Sequence, residues 1–127
     1  MPRATVNLED TETHNLKTAP PDGKVVLRRM SYGQIVQRRA MLKMSFSGDA
    51  KKGKDAVAGE IAMADEKITQ FEFKTCIVDH NLEDDQGKKL NLASPVDFNR
   101  LDPRVGQEIE KLIGDMNNFN EEDEEGN

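Results

Sequence analysis

Phe71-Glu72-Phe73-Lys74-Thr75-Cys76-Ile77-Val78-Asp79-His80-Asn81 can be read with two periods, and the choice between them decides the fold class. Read forward from Val57, the positions Ile61, Ala64, Ile68 and Phe71 step by four, three, four and three, one stripe of a helix. Read from Phe71 onward, Phe71, Phe73, Thr75 and Ile77 alternate with Glu72, Lys74, Cys76 and Val78, which suits a strand. No strong breaker stands before Asn81, so the favoured expectation is a helix continuing to about Val78. The expected class is therefore mainly α, or α+β with one or two short strands.

Upstream of that stretch, Ser45–Lys54 holds two glycines and a charge run, and the expected domain has a mobile loop near 45–56. Ser31 marks a helix start, with Gln34 at the capping-box position. This helix is expected from Tyr32 to Lys43 or Met44, with Tyr32, Val36, Ala40 and Met44 as its packed face, Ile35 and Leu42 widening it, and Arg38 and Arg39 turned away. Lys24–Arg28 is a short β-prone run. Residues 1–23, closed by Pro20-Pro21-Asp22-Gly23, read as an extended or disordered polar arm, with a short extended piece at Ala4–Leu8.

Downstream, Asp84-Asp85-Gln86-Gly87 is a turn, and Ser94-Pro95-Val96-Asp97 opens a short helix. Asp102-Pro103 repeats the device before a last helix striped by Val105, Ile109, Leu112, Met116 and Phe119. Gly106 and Gly114 each cost that helix about 1 kcal/mol relative to alanine, so tertiary contact must hold it. Residues 24–119 form the expected single helical domain, and 120–127 a disordered acidic tail.

Composition narrows the function. The chain has 127 residues, 35% apolar and 33% charged, with no Trp, too lean to wall a large buried cleft. It has no apolar run of membrane-helix length, and the first 20 residues carry no hydrophobic signal region. Cys76 stands alone, so neither a disulfide framework nor a Cys-based zinc site is expected, and the chain reads as soluble, reduced and intracellular. Net charge is −6, yet residues 24–54 hold nine Lys or Arg against Asp49 alone, or +8. Arg28, Arg29, Arg38, Arg39, Lys43, Lys51, Lys52 and Lys54 form that basic patch, which could meet phosphates in a salt-dependent way. Only Tyr32 and Phe46 supply rings there, a poor stacking platform, so nucleic acid is an unfavoured partner.

Tests for chemistry fail. A calcium loop counted from Asp79 has Asp84 where glycine belongs and Leu90 where the closing glutamate belongs. Gly53-Lys54 precedes Asp55, not the Ser or Thr of a phosphate loop. Cys76 and His80 would share a helix face but lack further zinc ligands or an oxyanion motif. Glu108 and Glu110, two apart, diverge. No catalytic residue, metal or cofactor is expected.

Three strings carry a likeness: Pro20-Pro21-Asp22-Gly23 with Val25 through Gly33, Phe71 through Leu82, and Leu101-Asp102-Pro103-Arg104-Val105-Gly106-Gln107-Glu108-Ile109. Together they resemble the small tail assembly chaperones of long-tailed (siphovirus-like) bacteriophages, over roughly residues 20–120. The resemblance implies a non-enzymatic protein that binds the tape measure protein, and tail tube subunits with it, during tail morphogenesis in the host cytoplasm. It also implies absence from the mature virion and a longer frameshifted form that varies the acidic end. Candidate partner-binding residues are Met41, Met44, Val105, Ile109, Leu112, Met116 and Phe119; the same residues would equally suit the monomer core, and their stripe would also suit pairing between identical chains. A small structural or adaptor protein kept in the particle is the alternative reading, and a basic-patch nucleic-acid binder the third.

Overall fold

The ambiguous stretch resolves into both readings in turn. A computed structural model describes the backbone of residues 1–46 and 54–119 and the side chains of 1–43 and 65–119. Along the described chain run β1 (Thr11–Asn15), β2 (Lys24–Arg28), α1 (Tyr32–Phe46), α2 (Lys54–Cys76), β3 (Ile77–His80), α3 (Pro95–Arg100) and α4 (Pro103–Met116). The molecule is a small mixed α/β domain. The helix expected to reach Val78 stops at Cys76, because Ile77 and Val78 are β-branched and the far edge of β2 is there to pair them. The Thr75 carbonyl, orphaned by the helix end, accepts a 2.8 Å hydrogen bond from Arg28 Nε.

The sheet is antiparallel in the order β1-β2-β3. Its edge strand β1 lies later in the chain than the extended piece expected at Ala4–Leu8. Thr11–Asn15 pairs with β2 from Thr11↔Arg28 to Asn15↔Lys24. Its polar side chains suit an exposed edge, which is why no alternating apolar signal marks it. Leu16, just past the strand, is buried and anchors it. In the connecting turn, a Cβ on Gly23 would fall against the Ala19 carbonyl and side chain, so only glycine lets the chain close there. Asn81 pins the same turn, accepting from Lys24 N at 2.7 Å and donating to the Asp22 carbonyl at 2.8 Å.

One core joins sheet and helices. Val25 and Leu27 of β2 meet Phe73 and Cys76 of α2 and Val105, Ile109 and Ile113 of α4, with Leu82, Leu90 and Leu92 closing one end. Phe98 of α3 meets Phe73 edge to face, centroids 5.4 Å apart. Ser31 and Gln34 form the reciprocal capping box, Ser31 N donating to Gln34 Oε1 and Gln34 N to Ser31 Oγ. Asp102 caps α4 through Arg104 N. Ser94 precedes α3 without a side-chain cap; the Asp97 carboxylate accepts instead from Asn91 N at 2.7 Å. The expected loop near 45–56 is shortened from both sides, since α1 runs to Phe46 and α2 begins at Lys54; what is left of it, residues 47–53, lies outside the described residues, as does the acidic tail 120–127.

Candidate functional site

Helix α1 packs by only one edge of the face that its sequence predicts. The row Tyr32, Val36 and Ala40, expected to pack, faces outward, with Tyr32 76% and Val36 43% exposed. Inward are Ile35, which packs on the core, and half-buried Leu42, both expected on the packed face, and beside them Arg38, which is buried. Arg38, read as a surface cation, is therefore an interior residue.

Two contacts explain this orientation. The Arg38 guanidinium carbon stands 3.6 Å from the centroid of the Phe119 ring. Its Nε approaches Glu72 Oε1 at 3.5 Å, long for a charge-assisted hydrogen bond, so the pair is ionic attraction with an incompletely satisfied N–H. Rotating α1 to bury Tyr32 and Val36 would leave the Glu72 carboxylate in an apolar setting without a cation, which costs more than exposing one apolar ridge. Burial pushes the Glu72 carboxyl up to about 7; Arg38 opposes this, while Glu110 and Asp65 add to it.

Phe119 is held in place from behind. Asn117 Oδ1 accepts from Met30 N at 2.9 Å, and Asn117 Nδ2 donates to the Ile113 carbonyl at 2.9 Å. Asn118 then turns the chain with φ of 61° and delivers Phe119 beneath α1. The C-terminal side of α4 is thus fastened both to the start of α1 and to its middle.

The outward face of α1 combines an apolar ridge with a basic rim. Tyr32, Val36 and Ala40 recur every four residues; Arg39 and Lys43 share the exposed side, and Arg29 is exposed just before the helix. Gly33, beside Tyr32, has open space where a side chain would stand.

The other expected contact residues are distributed differently. Val105, Ile109 and Phe119 are buried in the monomer core, and Leu112 and Met116 pack half-buried against it. The same periodicity that would suit a partner serves here to close the domain itself. Met41 is half-buried on α1, and the Met44 side chain lies outside the described residues. The described residues of the basic patch do not all share one surface. Arg38 points inward, Arg28 is tied to Thr75, and the side chains of Lys51, Lys52 and Lys54 lie outside the described residues.

The residues tested for chemistry serve the fold. Cys76 is fully buried, and burial, reinforced by Glu72, pushes its thiol up to about 12. His80 sits on β3 rather than on the helix of Cys76, and its Nδ1 accepts from Leu82 N at 3.0 Å. Burial, with Lys89 nearby, holds the His80 imidazole below its usual range. Asp79 pairs with Lys89 at 2.9 Å, and Asp84 Oδ1 accepts from Gln86 N and Lys88 N. Glu108 accepts from Lys17 N, Thr18 N and Thr18 Oγ1, whereas Glu110 accepts from Thr69 Oγ1 on α2, so the two carboxylates do diverge. A cleft of about 600 Å³ has Leu82, Leu90, Leu101 and Val105 as its floor and Glu83, Asp84, Asp85, Arg100 and Asp102 at its rim. Arg100 there is engaged by Asp84 and Asp97.

Sequence reasoning missed the Arg38–Glu72–Phe119 contact, though one signal was present. Glu72 stands four residues after Ile68 and four before Cys76, an acid in the middle of a buried helical row. Such a position requires a cation from a neighbouring element. The chain matches no protein-family model, no curated protein and no solved structure.

Proposed function

We propose that the protein is a non-enzymatic tail assembly chaperone of a long-tailed bacteriophage. It holds the tape measure protein, and tail tube subunits with it, in the host cytoplasm and leaves before the particle is complete. The outward ridge of Tyr32, Val36 and Ala40 carries this reading. A client helix laying its own apolar stripe along α1 buries that ridge, in the manner of helix-on-helix recognition. Arg29, Arg39 and Lys43 at the rim favour a client with acidic flanks and raise the rate of encounter.

The three resembling strings support the reading from the inside. Val25 and Leu27, Phe73 and Cys76, and Val105 and Ile109 come from different strings and meet in one core. The first string runs directly into Ser31, Tyr32 and Gly33, where α1 and its ridge begin. The likeness thus spans both the packing of the domain and the start of the contact face.

The test is co-expression with the tape measure protein of the same genome, followed by size-exclusion chromatography. Co-elution and a higher soluble yield of tape measure protein are expected with the native chain and not with Val36→Asp. An insoluble tape measure protein beside an unbound chain overturns the assignment. Mass spectrometry of purified virions is expected to find no stoichiometric chain; its retention would favour the particle-component reading instead.

A further inference from the structure

Strand β1 ends the sheet on one side and turns a row of its backbone groups outward. Leu16 N donates to the Gly23 carbonyl at 2.8 Å, and the same register runs from Asn15↔Lys24 to Thr11↔Arg28. Backbone direction alternates along a strand, so Glu12 and His14, in step with Leu16, turn their N–H and C=O groups to β2. Thr11, Thr13 and Asn15 turn theirs away from the sheet. All three residues are exposed, and among the described residues nothing bonds to those outward groups.

This edge is also regular. β1 keeps its register throughout, whereas the pairing of β2 with β3 slips between Val26 and Leu27. Neither proline nor a bulge interrupts Thr11-Glu12-Thr13-His14-Asn15, two of the devices that commonly blunt an edge.

Charge decides which strand fits there. Glu9, Asp10 and Glu12 stand at the start of β1, and His14 and Lys17 at its end. Glu108 holds Lys17 by its main-chain N–H, and the residue is exposed. Within the strand Glu12 Oε2 already lies 3.1 Å from His14 Nε2. An antiparallel second copy centred on Thr13 sets Thr13 against Thr13, Thr11 against Asn15 and Glu12 against His14, each contact repeated by the two-fold axis. The outward groups of Thr11, Thr13 and Asn15 then form the hydrogen-bonded pairs. Glu12 and His14 fall at non-hydrogen-bonded pairs, where Cα atoms stand about 4.5 Å apart and side chains are closest. Carboxylates and imidazoles alternate around a closed square, and the Lys17 end of each strand meets the acidic start of the other. A parallel copy would bring like against like.

We propose that two copies of this chain pair through β1, antiparallel and centred on Thr13, and so join their sheets across a two-fold axis. The strand is five residues long, so the contact is smaller than that of a permanent dimer and the association is weak and set by concentration. The ridge on α1 belongs to another element, so this inference holds whether or not a client binds there.

Sedimentation of the full chain from about 10 µM to about 1 mM is expected to show monomer passing into dimer, with a Kd of roughly 0.1 mM. Hydrogen exchange followed by nuclear magnetic resonance should then show the amides of Thr11, Thr13 and Asn15 gaining protection at the high concentration. Those of Glu12 and His14, already bonded to β2, should not change. Thr13→Pro removes only an outward donor, which an edge strand tolerates, and is expected to keep the chain monomeric at about 1 mM. Should that variant fail to fold, charge carries the test: Glu12→Lys is expected to weaken the dimer by about three- to tenfold, and adding His14→Glu to restore it. A chain still monomeric at about 1 mM, which leaves the edge to an extended segment of another protein, overturns the proposal. So does a dimer indifferent to these substitutions, or one whose added protection falls outside β1.

Discussion

Glu72 ties the position of α1 to protonation. Its carboxyl, pushed up to about 7 by burial, binds a proton more readily in the folded protein than in the unfolded chain, where it titrates near 4.5. The stability it contributes is therefore complete below about pH 4.5 and is lost as pH rises through about 7. His80 pulls the other way over part of this range: its depressed value means that stability is lost as pH falls through and below the unfolded 6.5. The informative quantity is thus the difference between the native protein and Glu72→Gln. Between pH 5 and pH 8 the native protein should lose about 1–3 kcal/mol relative to the variant, at about 1.4 kcal/mol for each tenfold difference in proton affinity. Denaturant titration at the two pH values measures this, and parallel pH dependences would contradict it. Cys76 gives a second check at the same scale: the native thiol should resist a disulfide exchange reagent at pH 8 and react promptly once the protein is unfolded. Legibility at this scale was mixed. Ser31, Gln34 and Asp102 announced their roles because capping is local chemistry, whereas Arg38 did not, because its partners Glu72 and Phe119 are far away in sequence.

Two helices exchange the roles that periodicity alone assigns them. The stripe of α4 is consumed by the core, while the weaker apolar row of α1 is left outside because an ion pair claims its opposite face. Their variants should therefore behave oppositely. Ile109→Ala should cost about 2–5 kcal/mol, as for a large-to-small change at a closed site. Val36→Asp should change stability by no more than about 0.5 kcal/mol, as at an unconstrained surface position. Chemical denaturation of both variants decides this, and a severe loss in Val36→Asp would place its side chain in the interior. At β1 the hidden signal was of another kind: Thr11–Asn15 is a strand because β2 offers it a ladder, not because its side chains alternate. Gly23 locks that hairpin, and Gly23→Ala should destabilise the domain by about 1–3 kcal/mol by overpacking against Ala19. The helix-to-strand change after Cys76 was readable as an alternation. Its exact place depends on where β2 ends.

Across the whole molecule, charge is segregated along the sequence. The +8 segment contributes α1, and Phe119, just past α4, packs on Arg38 of that helix. Composition could mark which segments are charged and that none has the apolar length of a membrane helix. It could not show which face of α1 is presented outward, since that depends on three elements meeting. The central claim is that partners read α1 and that α4 serves the interior. Hydrogen exchange of the intact chain, alone and with the tape measure protein, tests this most directly. The account predicts added protection across residues 32–43 with α4 unchanged, whereas protection gained on residues 103–116 with α1 unchanged would contradict it.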